Sequence, residues 1–298
     1  MIGAESGGYR ETIESTPNCD VAKASFDTYN AGDWAGYQAL QHPDVQWLEV
    51  QGRHFHGPSG VTEEIDNWRD AYPDASADIT NLFDCGDDRV VIEWTLFGER
   101  RGMATGPGGR EIPENMRVHC ADLMQLKDRR VYSGRTYYGL RTAQTVAAVQ
   151  GGVTAVDAEL PDLGQYRIRM DETPDALVAK ASFDTYNARD WDGYRALQHP
   201  AVEAHEVEGR MFAGVEGVID EIDTFAEAYP DVEASITNLV DCGRGRVIIE
   251  WTLTGRPGRV RACDLMQIIE GKVHRVRTYY GVASALAVIG VQGLGQGG

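Results

Sequence analysis

The chain has 298 residues, 42% of them hydrophobic and 25% charged, which suits two ordinary globular domains with real cores. Its formal net charge of -18 repels nucleic-acid phosphates and anionic lipid, so neither is expected as a partner. No apolar run approaches the length of a membrane span. The opening MIGAESGGYRETIE lacks the basic and apolar regions of a signal peptide, so a cytoplasmic protein is expected.

The predicted elements follow in chain order. Thr16-Pro17 offers a capping hydroxyl and a proline for a helix start, and Val21–Tyr29 reads as an amphipathic helix. Asp33 caps a second, short helix, WAGYQAL, which His42-Pro43-Asp44 breaks. VQWLEVQ is a strand that continues through GRHFHG as a hairpin. PSGVTEEIDNWRDAY is a third helix, closed by Tyr72-Pro73. Three strands follow: ADITNLFD, RVVIEWTLFGE and VHCADLMQLK. VYSGRTYYG is a last strand, with hairpin turns at CGDD and KDRR. Helices followed by an antiparallel meander make an α+β pattern: a curved sheet over about three helices, with an apolar cavity at its open end.

The pattern then repeats. VAKASFDTYNA stands at Val21–Ala31 and again at Val178–Ala188. The offset of 157 holds from Tyr9 to Gly98, with 49 of the 75 positions from Ala24 to Gly98 identical. It falls to 142 after a 15-residue insertion in RRGMATGPGGREIPENMRV, and the match resumes at ADLMQ and CDLMQ. So long a period is a duplicated domain and not a solenoid. The copies are expected at 1–158 and 159–298, joined near AVDAELPDLG, with GLGQGG as a frayed tail.

Cys19, Cys85, Cys120, Cys242 and Cys263 are odd in number and form no CxxC. Buried free thiols are expected, without a disulfide framework or zinc site. No metal or cofactor is expected.

The order GDW…HPDVQWLEVQG…FHGPSGV…AYPD…VVIEWTLFG…ADLMQLKDRRV…RTYYG resembles the SnoaL-like polyketide cyclases. These belong to the nuclear-transport-factor-2-like superfamily, with ketosteroid isomerase and scytalone dehydratase. The resemblance covers nearly all of both copies. It implies two tandem cone-shaped domains, and a chain that forms internally the dimer such domains usually make. It also implies catalytic aspartates at Asp122 and Asp264, ahead of the last turn. The general base of ketosteroid isomerase, sixteen residues after its GD, would fall at Glu49 and Glu206. Three departures stand out. Ser25 and Ser182 replace the isomerase's tyrosine donor, YYG replaces the frequent YYD, and Thr136 and Thr278 stand where limonene epoxide hydrolases carry an aspartate.

Two carboxyls in one apolar pocket can divide the labour of enolisation, one as base and one as hydrogen-bond donor. The implied activity is cofactor-free cyclisation or isomerisation of a small hydrophobic polyketide-like substrate, as in antibiotic biosynthesis. The fused polyether epoxide hydrolase–cyclases imply a second reading. There an acid opens an epoxide while Glu49 or Glu206 activates a hydroxyl, and a carboxyl within reach of Glu206 but not Asp264 would favour it. The third reading is a non-catalytic binding module or scaffold, with its carboxylates solvated or bridged to arginine.

Strand alternation puts Val45, Trp47, Glu49 and Gln51 on one face and Gln46, Leu48 and Val50 on the other. Trp47 therefore flanks the candidate base. Its counterpart is Ala204, so the second copy is expected to hold the roomier pocket. His205 should face away from Glu206. Tyr29, Tyr186, Met124 and Met266 are candidates for substrate contact, as core or rim side chains. So are Glu93 and Glu250 in the EWT motif, for which a cross-strand salt bridge is the plain alternative. Tyr137-Tyr138 and Tyr279-Tyr280 read as core or rim aromatics. His42 and His199 suit a bond within their turns, His54 and His56 a hairpin surface, and TGPGG lacks the strand-to-helix setting of a phosphate loop.

Overall fold

The computed structural model describes residues 12–161, 164–228, 230–255 and 258–292. Tyr9, Arg10, most of the opening segment and the GLGQGG tail lie outside them.

The first half runs α1 (Pro17–Ala31), α2 (Trp34–Ala39), β1 (Gln41–Glu49), β2 (His54–His56), α3 (Gly57–Ala71), β3 (Ser76–Gly86), β4 (Arg89–Glu99), β5 (Asn115–Lys127), β6 (Arg130–Tyr138) and α4 (Thr142–Val149). The second repeats it as α5 (Pro174–Ala188), α6 (Trp191–Leu197), β7 (Gln198–Glu206), β8 (Met211–Ala213), α7 (Gly214–Ala228), β9 (Glu233–Asp241), β10 (Arg246–Gly255), β11 (Gly258–Ile269), β12 (Lys272–Tyr280) and α8 (Val282–Gln292). The local signals act as expected. Thr16 caps α1 by accepting from the Cys19 N–H at 3.1 Å, and Asp33 caps α2 through the Gly36 N–H at 2.9 Å. Asp87, Asp88, Asp128 and Arg129 take the left-handed conformation that tight hairpins need.

Two features differ from expectation. β1 and β7 begin at Gln41 and Gln198, so His-Pro lies inside each strand. The His42 Nδ1 accepts from the Asp44 N–H at 3.1 Å, and His199 repeats the bond with Ala201. Each half also carries a fourth helix. α4 and α8 pack against the sheet and each other, with most of their described side chains buried.

The strands form one sheet in the order β3-β4-β5-β6-β12-β11-β10-β9. β1 runs parallel to β6, and β7 parallel to β12. The halves join at a single pair, Tyr138 opposite Tyr280. Alternation along the strands serves two cores. Val45, Ile92 and Met124 face the helices of their own half. Leu48, Val91 and Leu123 face the other half, meeting Val207, Ile248 and Leu265 in a shared apolar cluster.

Polar contacts across this interface are reciprocal. Arg135 and Tyr137 bond Glu250 at 3.0 and 2.7 Å. Arg277 and Tyr279 reach Glu93 at 3.1 and 2.7 Å. Gln51 accepts from the Ser284 N–H, and Glu208 from the Thr142 N–H. The same two side chains close over Gly281 and Gly139, where an added Cβ would stand 2.5 Å from Gln51 and 2.7 Å from Glu208. The terminal YYG is thus glycine because the other half leaves no room. Reciprocity of this kind is what a two-fold relation produces, and it supports the internal pseudo-dimer. Gln51, expected on the face of Glu49, instead turns left-handed toward this interface.

The expectation of free thiols fails for one pair. Cys85 and Cys242 form a disulfide between the halves, whereas Cys19, Cys120 and Cys263 are free and buried. A cysteine count cannot show that equivalent cysteines of two copies meet. Among the described residues no helix is long and apolar enough to cross a membrane.

Candidate functional site

Each half encloses one cavity between its helices and the inner face of its sheet. The first has a volume of about 80 Å³ and is bordered by Asp122, Trp47, Tyr29 and Met124. The second has a volume of about 210 Å³ and is bordered by Asp264, Glu206, Tyr186 and Met266. The second is therefore the roomier, as the Trp47-to-Ala204 exchange implied. Trp47 pairs across the strands with Gly134, and a Cβ there would stand 2.3 Å from the indole ring. The corresponding pair in the second half is Ala204 with Val276. The ring is therefore accommodated by the loss of a side chain opposite.

Asp122 and Asp264 sit mid-strand on β5 and β11, 4% and 5% exposed. The Thr136 hydroxyl donates to Asp122 at 2.7 Å, and Thr278 does the same for Asp264. In the first half the Trp47 indole N–H donates in turn to Thr136 at 2.8 Å. Burial pushes Asp122 up to about 7 and Asp264 up to about 6, against smaller opposing effects of the threonine and of Trp94 or Trp251.

Glu49 ends β1, buried, and is not among the residues that border the first cavity. Burial raises its carboxyl; the Arg53 N–H, which donates at 3.2 Å, and the neighbouring Tyr138 act against that. Glu206 accepts from the Tyr280 hydroxyl at 3.0 Å and pairs with the Arg210 Nε at 3.1 Å. His205 borders the second cavity as well, against the expectation that it would turn wholly away.

Glu93 and Glu250 need correction as candidates for substrate contact. Ile92 lies opposite Asp122 and shares its face, so Glu93 points to the other face, toward the second half; Ile249 and Glu250 repeat this relation with Asp264. Neither glutamate borders a cavity. Burial alone would raise Glu250, but Arg135, Tyr137 and Asn238 outweigh it and hold the carboxyl below its ordinary value.

The sequence reading missed Glu64 and Glu221, a further carboxyl in each cavity wall. Both lie on the apolar face of their helix, Glu64 one turn before Trp68, to which it is bonded at 2.8 Å. A glutamate amid Val61, Ile65 and Trp68, repeated in the second copy, was the available signal. Burial raises Glu64, as does the charge of Glu49. Burial, with Glu206 adding to it, pushes Glu221 up to about 7. Tyr138 and Tyr280 also border the cavities, so these two of the paired tyrosines face the site, while Tyr137 and Tyr279 serve the interface.

The second cavity thus gathers three carboxyls and tyrosine hydroxyls in an apolar enclosure, and the first gathers two carboxyls with tyrosine hydroxyls, sets able to take and return protons. Among the described residues no three His, Cys, Asp or Glu side chains are placed to hold a metal ion.

Comparison with known proteins gives the family. No curated protein matches the chain. A solved candidate ketosteroid isomerase from Kribbella flavida DSM 17836 is 23% identical, covering 36% of this chain and 77% of its own, with a TM-score of 0.32. A candidate SnoaL-like polyketide cyclase from Jannaschia sp. CCS1 is 18% identical over 48% of this chain and 98% of its own, with a TM-score of 0.38. A protein of ketosteroid isomerase-like fold from Catenulispora acidiphila DSM 44928, solved with trimethylamine, is 16% identical over 47% and 94%, with a TM-score of 0.36. The model of the SnoaL-like domain matches twice, over residues 22–133 and 179–276, which is most of the chain, and the protein belongs to that family.

Proposed function

We propose that the protein is a cofactor-independent enzyme that cyclises or isomerises a small hydrophobic, polyketide-like intermediate, with the second cavity as its reaction chamber. The observation that carries this reading is the convergence of Glu206 and Asp264 on one apolar cavity, with Tyr280 bonded to Glu206. Glu206 takes a proton from the carbon beside a substrate carbonyl. The enolate oxygen that forms accepts hydrogen bonds from protonated Asp264 and from a tyrosine hydroxyl. Burial raises Tyr194, so its hydroxyl stays a protonated donor, while the Tyr280 proton is given to Glu206. The proton then returns to a different carbon, or the enolate carbon attacks a second carbonyl and closes a ring. In the first half Asp122 borders a chamber narrowed by Trp47, and Glu49 is not among the residues that border it.

The test is deuterium exchange from solvent into an enolisable β-keto ester, followed by proton NMR. Glu206→Gln and Asp264→Asn should each slow exchange by roughly 10²-fold or more. Wild-type exchange no faster than buffer, or equal rates in both variants and the wild type, would leave the non-catalytic binding module as the better reading.

One observation favours epoxide opening as a second reading. Glu221 shares Arg210 with Glu206, and the charge of Glu206 adds to the rise of its carboxyl. Protonated Glu221 would donate to the epoxide oxygen while Glu206 takes the proton of the attacking hydroxyl. Glu221→Gln then abolishes turnover of an epoxy-alcohol probe, whereas Asp264→Asn spares it.

A further inference from the structure

The two cavities differ in charge as well as size. Glu64 and Asp122 border the first, with no Lys, Arg or His among the bordering residues. The second has Arg210 and His205. A diverted arginine makes the difference. Arg210 bonds Glu206 and Glu221 at 3.1 and 2.9 Å. Its counterpart Arg53 turns away to Glu63 at 2.6 Å and Gln150 at 3.2 Å. Only the Arg53 backbone N–H reaches Glu49, although its charge still acts on Glu49 and Glu64 from a distance. Arg69 stacks over Tyr29 and Trp34 and donates to the Tyr29 carbonyl at 2.8 Å. Among the described residues, no cationic side chain pairs with Glu49, Glu64 or Asp122.

An acceptor is also left over. Gln41, 3% exposed, borders the cavity with an unpartnered Oε1. Buried polar atoms are rarely left so without something to receive. Aromatic rings make up much of the remaining wall, among them Tyr37, Trp47, Phe55 and Trp94. Ring faces attract cations, and more strongly where water is excluded.

We propose that the cavity of the first half is a binding site for a small methylated ammonium ion, its methyl groups against Trp47 and Trp94 and its charge matched by Glu64 and Asp122. An N–H of the ion would donate to the Oε1 of Gln41. A volume of about 80 Å³ admits a compact ion and excludes the larger intermediate proposed for the second cavity. The two halves would then serve different ligands, and this inference does not depend on the proposed reaction.

The test is calorimetric titration of the full chain with trimethylammonium chloride, against tert-butanol as a neutral compound of similar shape. Trimethylammonium should bind at one saturable site at least about tenfold more tightly than tert-butanol. Its affinity should rise from about pH 6 to about pH 8, because the buried carboxyls must ionise to receive it. Glu64→Gln and Asp122→Asn should each weaken binding about fivefold or more. Should either variant fail to fold, the pH dependence and the neutral comparison on the wild-type protein decide. Equal binding of tert-butanol, no saturable binding, affinity independent of pH, or unchanged affinity in both folded variants would overturn the proposal.

Discussion

Cys85 and Cys242 hold the same place in the two copies, 157 residues apart, and are bonded to each other. Equivalent residues of two copies touch only near the axis that relates them. Tyr138 and Tyr280, also equivalent, meet at the one strand pair that joins the halves. Disulfide and strand pair together mark that axis, and duplication placed a cysteine on it twice.

The disulfide closes a long loop, so it should contribute roughly 2–4 kcal/mol by restricting the unfolded chain. After oxidation and denaturation without reductant, the protein should show three reactive thiols, rising to five on reduction. Cys85→Ser with Cys242→Ser should lower the melting temperature under oxidising conditions and leave it unchanged with reductant present. Five reactive thiols in the oxidised protein would show that the bond does not form.

The exchange of Trp47 and Gly134 for Ala204 and Val276 predicts paired effects. Trp47→Ala opens the first cavity and removes the bond to Thr136, costing roughly 2–4 kcal/mol. Ala204→Trp alone drives the indole into Val276 and should cost roughly 1–3 kcal/mol by overpacking. Adding Val276→Gly should recover most of that loss and shrink the second cavity toward the first. A double variant no more stable than Ala204→Trp would show that the two positions are not coupled.

Much of this was legible in the residues. The repeat, the caps of α1 and α2 and the two hairpin turns are local signals, and strand alternation separated Trp47 from Leu48. The salt bridge to arginine read for Glu93 is present, but its substrate contact was misjudged because alternation must be read against a partner strand: Ile92 lies opposite Asp122, and that register is a tertiary fact. Glu64 was missed because it lies on a helix, whereas the acid–base pair that the resemblance implies lies on strands. α4 was missed because it is only eight residues long and no capping side chain announces it.

Glu250 illustrates the cost of that misjudgement, for its position calls for a different experiment. It is 1% exposed and bonded by Arg135, Tyr137, Tyr166 and Asn238. Glu250→Ala leaves the Arg135 charge buried without its partner, at a cost of roughly 3–5 kcal/mol. Glu250→Gln keeps the shape and should cost less. Denaturant unfolding measures both, and a loss within the error of the wild type would mean that the interface does not depend on this cluster.

The buried carboxyls of the first cavity make stability depend on pH with a definite sign. Asp122 is raised from 3.8 to about 7, and Glu49 and Glu64 are also raised. The folded chain therefore holds protons that the unfolded chain has already released. The stabilisation is fully present below the unfolded values and is lost as pH rises through the folded ones. A tenfold difference in proton affinity corresponds to ~1.4 kcal/mol, so the share of Asp122 is a few kcal/mol at most. The net charge of -18 also weakens the fold as pH rises, and for that reason the difference between variant and wild type is the quantity to read. Asp122→Asn keeps an acceptor for Thr136 and does not titrate. It should match the wild type near pH 4 and exceed it in melting temperature by several degrees near pH 8. A variant that falls below the wild type at pH 8 would show that Asp122 is stabilised as an anion, and that burial does not govern its proton.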